Sequence, residues 1–314
     1  MKKTITGIIA AVSLLASGLH AAVYIWNDAV DADWNNAANW EGNIIPAVNT
    51  DGAVYSSTNT IRITAGTYMP AINVPAMASG MNVNLTTPLF IIDGGASLSM
   101  NSATAGLDVG AQNATAVTIG SGGSLTWSAG SVISLARNSG VQTYNINGTF
   151  TVTAPRFNLG YMAGYLIRMN LDGGTLMINA SDIYATRTAF STVQTELNEI
   201  ILNNGSQVIL NGTIRQIGEN EGGYDQSLVF DILDTASRIT FKLATSNSTR
   251  DFHNLQAVED SLGKFFISST LGNDALFVTD NGDGTVTVGA IPEPGSVTLF
   301  LVGSAVSLAA RIRK

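Results

Sequence analysis

The side chains that could carry out chemistry are few and far apart in this sequence. There are two histidines, His20 and His253, and no cysteine. A zinc site needs several His or Cys ligands, and a hydrolase needs a nucleophile on a recognisable turn with a base beside it. His253 stands in a polar stretch without such companions, which indicates a surface residue. We therefore predict no catalytic residues, no metal and no cofactor.

Cleavage of a polysaccharide is the enzymatic alternative. Four arginines could line one face of a repetitive fold: Arg137, Arg156, Arg168 and Arg187. Lyases and glycosidases also need clustered acids and bases, usually a pair of carboxylates. The central region is poor in charged residues, so a polysaccharide lyase or hydrolase is the least favoured function.

The segment "TDNGDGTV" contains Asp280 and Asp283 at a spacing that suggests calcium binding. A calcium loop places oxygen ligands at alternate positions and a glutamate further on. Gly282 and Gly284 stand where ligands would be needed. The segment is therefore interpreted as a hairpin turn.

Aromatic residues near the start give the one sequence feature that suggests a ligand. Trp26, Trp34 and Trp40 lie within "WNDAVDADWNNAANW". Exposed together, they could form a flat platform for sugar rings, and they are the candidate glycan-binding residues. Buried together, they would close the end of a hydrophobic core, since tryptophan buries a large area. The cap is the favoured interpretation.

The composition indicates which elements must position these residues. Only 12% of the 314 residues are charged, 32 are glycine, and the formal net charge is −8. Small polar and β-branched residues with many glycines are typical of short strands joined by tight turns. An acidic chain is also a poor match for a nucleic acid, so we predict no nucleic-acid partner.

Glycine turns followed by alternating apolar residues recur along the middle of the chain. Examples are "IIDGGASLSM", "TIGSGGSLTW", "NINGTFTV", "NLDGGTLMI" and "LNNGSQVIL". They define a repeat of about 25 residues, which cannot bury a core alone but can do so when stacked. We predict an all-β fold, a β-solenoid (β-helix). Its glycines would turn corners with positive φ, and Leu98, Leu125, Phe150 and Leu176 would stack in the interior. An antiparallel β-sandwich is the alternative.

The repeat divides the chain into five segments. We predict a signal peptide at 1–22, an N-terminal cap at 23–60, solenoid repeats at 61–212 and a β-rich C-terminal cap at 213–290. A C-terminal signal occupies 291–314. "MKKTITGIIAAVSLLASGLHAA" has the cationic start, apolar core and small-residue end of a secretory signal.

The other end holds an apolar run from Ser296 to Ala310, followed by cations. It is short for a membrane helix, which needs about 20 residues, and its cations would stay in the cytoplasm. Pro-Glu-Pro, a short apolar helix and a basic end together resemble a PEP-CTERM sorting signal. The residues that carry this resemblance are Pro292, Glu293, Pro294, Arg311, Arg313 and Lys314.

The PEP-CTERM resemblance implies processing by an exosortase, after signal peptidase and transient anchoring in the inner membrane of a Gram-negative-type bacterium. The glycine-rich repeats are similar to those of autotransporter passenger domains, which implies a right-handed β-helix and extracellular display without an inherited active site. We therefore expect an exported, non-catalytic structural or surface protein of the cell envelope or extracellular polysaccharide matrix. A carbohydrate-binding or adhesin-like module is the alternative, with extracellular polysaccharide as partner.

Overall fold

The structure is a computed structural model. It describes residues 23–27, 30–45, 55–57, 60–73, 81–85, 90–102, 107–111, 114–135, 140–160, 165–186, 198–215, 228–244, 252–264 and 266–291. The predicted signal peptide and the sorting-signal residues 292–314 lie outside this part of the chain.

Strands dominate the described chain. The first eleven are β1 (Val23–Trp26), β2 (Tyr55–Ser57), β3 (Thr60–Ile63), β4 (Ala71–Asn73), β5 (Met81–Leu85), β6 (Phe90–Ile92), β7 (Ser97–Ser102), β8 (Leu107–Ala111), β9 (Ala114–Ile119), β10 (Ser124–Ala129) and β11 (Val132–Ser134). The others are β12 (Gly140–Ile146), β13 (Thr149–Gly160), β14 (Tyr165–Asp172), β15 (Thr175–Thr186), β16 (Asn198–Asn203), β17 (Gln207–Arg215), β18 (Leu228–Ile232), β19 (Arg238–Lys242), β20 (Phe266–Ile267), β21 (Leu276–Asp280) and β22 (Thr285–Ala290).

Helical elements are short. The α-helix α1 spans Leu255–Glu259, and 3-10 helices span Ala37–Asn39, Glu41–Asn43 and Asn273–Ala275. The side chain of Asn254 caps α1 by accepting from the backbone N–H of Ala257 at 2.8 Å.

The strands form a β-solenoid, as the sequence predicted. One sheet stacks nine strands in parallel, in the order β1-β3-β6-β9-β12-β14-β16-β18-β20. The second sheet contains the remaining strands, and its ladder from β2 to β19 is also parallel. Parallel pairing between successive turns excludes the antiparallel sandwich, whose neighbouring strands run in opposite directions.

The interior of the solenoid is built from columns of like residues. Successive side chains of a strand point to opposite faces, and parallel strands in register place equivalent residues side by side. In β10 the burial alternates strictly along "SLTWSA". The predicted column of Leu98, Leu125, Phe150 and Leu176 is confirmed. Val208 continues it within the predicted repeats, and Ile239 continues it beyond them.

The parallel ladder extends past both limits of the predicted repeat region 61–212. β1, which lies inside the predicted N-terminal cap, already pairs in parallel with β3. At the other end β17 pairs with β19, so the solenoid continues to Lys242 inside the predicted C-terminal cap. The rung formed by β18 and β19 was missed because a longer connection precedes β18, which breaks the period of about 25 residues.

Glycines in the corners serve two different purposes. Gly95 and Gly205 have positive φ, as predicted. Gly123, Gly148 and Gly174 do not: a Cβ at Gly123 would lie 2.6 Å from the carbonyl oxygen of Asp93. Their role is to let the backbone of one corner approach the next, so the prediction of positive φ was wrong for these three.

Antiparallel strands close the C-terminal end. β22 pairs with β19 and with β21, and both pairings are antiparallel. Aromatic rings pack beneath them, with Phe266 centred 5.3 Å from Phe230 and 5.8 Å from Phe241. Pairing with β22 covers the edge of β19, the last parallel strand of the second sheet, and β21 becomes the edge strand there.

Candidate functional site

The predicted aromatic cluster does assemble, but it is buried. Trp26, Trp34 and Trp40 are exposed to 1%, 4% and 2%. The ring of Trp40 stands edge-on to both others, with centroids 4.6 Å from Trp34 and 5.2 Å from Trp26. This arrangement is favoured by aromatic quadrupoles and closes the apolar end of the first rung.

Two of the three indole N–H groups are satisfied by backbone oxygens. Trp26 Nε1 donates to the carbonyl of Tyr68 at 3.0 Å, and Trp40 Nε1 donates to the carbonyl of Trp34 at 2.9 Å. The buried Nε1 of Trp34 has no hydrogen-bond partner within the described structure. The cluster is therefore held by packing and by two hydrogen bonds from indole N–H groups to backbone carbonyl oxygens.

An asparagine and an aspartate hold the loop that carries these rings. Asn39 is fully buried, and its amide donates to the carboxylate of Asp31 at 2.7 Å and to the carbonyl of Asp33 at 2.8 Å. Its oxygen accepts from the backbone N–H of Val30 at 2.8 Å. The hydrogen bonds from Asn39 and then Asn36 lower the pKa of Asp31, so this carboxylate stays ionised to a lower pH than an unpaired aspartate.

The structure thus supports the cap interpretation of the tryptophans. A sugar-binding platform needs an exposed ring face, and all three rings lie against one another and the first rung. Glycan binding by Trp26, Trp34 and Trp40 stays a prediction, and no exposed ring surface supports it.

Arginines considered for catalysis lie apart from one another. Arg168 pairs with Glu199 of the next rung at 2.7 Å, on the exposed face of the first sheet. Arg156 lies on the second sheet, where its guanidinium carbon is 5.0 Å from the ring centroid of Tyr184. Arg137 and Arg187 lie outside the described residues. The two described arginines therefore do not share a face.

The segment "TDNGDGTV" forms the hairpin turn between β21 and β22, as expected. Asp280 accepts from the backbone N–H of Gly282 at 2.8 Å. Asp283 accepts from the backbone N–H of Thr285 at 2.9 Å and from its hydroxyl at 2.6 Å. These hydrogen bonds from Thr285 lower the pKa of Asp283, and both carboxylates serve the turn. In the part of the chain that the structure describes, no group of acidic or His side chains is placed to hold a metal.

A groove of about 550 Å³ on the second sheet is the feature that sequence reasoning missed. Its floor contains small residues of successive rungs: Ala129, Ala154, Ala180 and Gly212. Ala154 and Ala180 are paired in register. The signal in the sequence was a small residue that recurs once per rung at the same distance after the glycine turn. Alanine is common, so this pattern becomes visible only once the pairing of strands between rungs is known.

Comparisons with known proteins assign this chain to no family. No protein-family model, no curated protein and no solved structure matches it. Among residues 23–291, as far as the structure describes them, no helix has the length and apolar character needed to span a membrane. The predicted C-terminal membrane helix lies beyond that range.

Proposed function

We propose that this chain is an exported, non-catalytic structural protein of the cell envelope or extracellular polysaccharide matrix, sorted by a PEP-CTERM/exosortase system. The body supplies a rigid element for display, and the two terminal segments supply the address. Signal peptidase would remove the first 21 or 22 residues, and the exosortase would remove the tail beyond Pro294.

The observation that carries the structural role is a continuous parallel ladder closed at both ends. Tryptophans cover the first rung, and the antiparallel strands β21 and β22 follow the last parallel strand of the second sheet. Repeat folds need such caps to remain soluble, because open edges otherwise pair with further chains. A capped solenoid is therefore a self-contained building block.

The outer surface also suits a hydrated extracellular setting. Neutral polar side chains form ladders between rungs: Asn170 donates to Asn145 at 2.9 Å on the first sheet, and Asn211 donates to Asn179 at 2.8 Å on the second. Ladders of this kind reinforce the stacking of strands and present many hydrogen-bonding groups to the surroundings.

The intact mass of the native protein tests the proposal. The protein is recovered separately from the envelope and from the extracellular matrix of the producing cells. We expect a mass that lacks the first 21 or 22 residues and the tail beyond Pro294. A mass that still contains Arg311 to Lys314 would identify a permanent anchor and refute sorting by an exosortase.

A substituted chain provides the control. Replacing Pro292, Glu293 and Pro294 together by alanine should preserve signal-peptide cleavage but leave the tail attached. The matched variant Asp283→Ala, in an exposed turn outside the sorting signal, should be processed as the native chain is. Equal processing of both variants would contradict the assignment of the Pro-Glu-Pro segment.

A further inference from the structure

We propose that the groove on the second sheet binds an uncharged polysaccharide strand, which runs along the solenoid axis and contacts one rung per sugar unit. The inference goes beyond the proposed function, since it concerns the folded body and does not depend on how the chain is sorted.

The groove exists because the long strands change direction at one point in each rung. In β13 the alternation of buried and exposed residues breaks at Pro155 and Arg156, which are both exposed. β17 makes the same change with one residue fewer, as its pairing with β15 shifts register between Asn179 and Asp182. Gly212 lies at this shift, where a Cβ would overlap with the carbonyl oxygen of Ala180. The floor is therefore formed by backbone and by the methyl groups of largely buried alanines.

One wall of the groove is a ladder of amide and hydroxyl groups. Asn211 Nδ2 donates to Asn179 Oδ1 at 2.8 Å, and Asn179 Nδ2 lies 3.5 Å from the Thr153 hydroxyl. An asparagine amide has two donor hydrogens and two acceptor lone pairs. The ladder uses one of each on Asn179, which fixes the amide and leaves one donor and one acceptor for a sugar hydroxyl. Pro155, Ser181 and Thr213 form the opposite wall.

The length and repeat of the groove fit a polymer. Its lining residues come from five successive strands of the second sheet: β10, β13, β15, β17 and β19. Neighbouring strands are about 4.8 Å apart, so the groove is about 19 Å long. That spacing is close to the length of one sugar unit in an extended glycan. Successive sugars can therefore meet equivalent groups, as an extended ligand on a regular scaffold requires.

The charge of the lining favours an uncharged glycan. Lys242 is the one charged side chain among the described residues that line the groove. An acidic polysaccharide would need repeated cations along its length, and the chain as a whole carries a formal charge of −8. An extended peptide is also a poor occupant. The backbone groups of β13, β15 and β17 are engaged in the ladder, so they offer no free sheet edge.

The test measures retardation of the purified full-length protein in native gels that contain one polysaccharide each. Dextran, xyloglucan and galactomannan serve as uncharged probes, and alginate as the acidic one. We expect at least one uncharged polysaccharide to retard the protein in proportion to its concentration, and alginate to have no comparable effect. Absence of retardation by all three uncharged probes, or retardation by alginate alone, would overturn the proposal.

Two matched double variants locate the site. Asn179→Ala with Asn211→Ala removes the ladder in the groove, while Asn145→Ala with Asn170→Ala removes an equivalent ladder on the other sheet. Two lost hydrogen-bonding amides should weaken binding about tenfold in the first variant and leave it unchanged in the second. Equal weakening in both would place the ligand elsewhere and refute the assignment.

A third variant separates loss of binding from loss of folding. Ser181 is exposed on the wall of the groove, and Ser181→Trp should obstruct the groove without removing any ladder contact. Thermal unfolding followed by circular dichroism should give the native midpoint for this variant, together with lost retardation. Native retardation in the folded Ser181→Trp protein would contradict binding in the groove. None of these results depends on the intact-mass experiment, so failure of the groove and failure of sorting are distinguishable.

Discussion

Two corner glycines in neighbouring rungs should respond differently to substitution, although the sequence presents them alike. Gly174 and Gly205 both follow a strand of the first sheet and precede a strand of the second. Gly205 has a φ of 74°, and a Cβ there would lie 3.5 Å from the Cβ of Ala236, an ordinary contact. At Gly174 a Cβ would lie 2.7 Å from the carbonyl carbon of Ile146 and would overlap with its oxygen.

The magnitudes follow from these environments. In Gly205→Ala an L-residue must adopt the left-handed conformation, which lowers the free energy of unfolding by about 1 kcal/mol. Gly174→Ala forces two rungs apart beside the hydrogen bonds from Thr175 N to Gly148 O and from Gln207 N to Gly174 O. Overpacking of about 1–3 kcal/mol and a weakened hydrogen bond of about 1 kcal/mol give a loss of about 3 kcal/mol.

Substitution by asparagine makes the test sharper. Asparagine tolerates positive φ, and the neighbouring Asn204 already has a φ of 54°. Gly205→Asn should therefore be more stable than Gly205→Ala, whereas Gly174→Asn should be at least as unstable as Gly174→Ala. Equilibrium urea unfolding followed by far-ultraviolet circular dichroism measures all four. The explanation is that Gly205 is needed for its positive φ and Gly174 for the close approach of two rungs. Equal urea midpoints for Gly174→Ala and Gly205→Ala would refute it, and so would a Gly205→Asn protein no more stable than Gly205→Ala.

Two further predictions concern the ends of the solenoid. Trp40→Phe should lower the free energy of unfolding by about 1–3 kcal/mol more than Trp34→Phe does. The reason is that Trp40→Phe leaves the carbonyl of Trp34 unpaired, whereas Trp34 Nε1 has no hydrogen-bond partner to lose. Equal urea midpoints for the two variants would contradict this. Burial raises the pKa of Asp234, but hydrogen bonds from Ser237, Ala236 and Gly205 outweigh it and lower the pKa overall. Its stabilising effect is therefore present above the unfolded pKa of about 3.9 and is lost as the pH falls through the lower folded pKa. Asp234→Asn should be less stable than the native chain at pH 7, with a smaller difference at pH 3, and an unchanged difference in urea midpoint would exclude this account.

The interior of the solenoid was the part most open to prediction. Leu98, Leu125, Phe150 and Leu176 share one place in a repeated phrase, and parallel pairing in register then puts them in one column. The limits of the solenoid were less accessible. Ile239 continues the column past the predicted limit at residue 212, yet the longer connection before its rung breaks the period.

The candidate sites depended on facts that no local pattern contains. "WNDAVDADWNNAANW" fits an exposed platform as well as a buried cap, and burial is decided by what the rings pack against. Residue type alone could not distinguish the buried Asn39, which holds this loop through Asp31, from the exposed Asn35 and the half-buried Asn36.

The sequence by itself determined that this protein is a stacked β fold, because glycine turns and period-two alternation are local signals that repeat. Only the tertiary structure decided which glycines are needed for a positive φ and which are needed because two rungs approach closely. It also decided where the strands bend to open a groove. Both depend on how closely one rung approaches the next, a distance set by hydrogen bonds between residues some 25 to 32 positions apart.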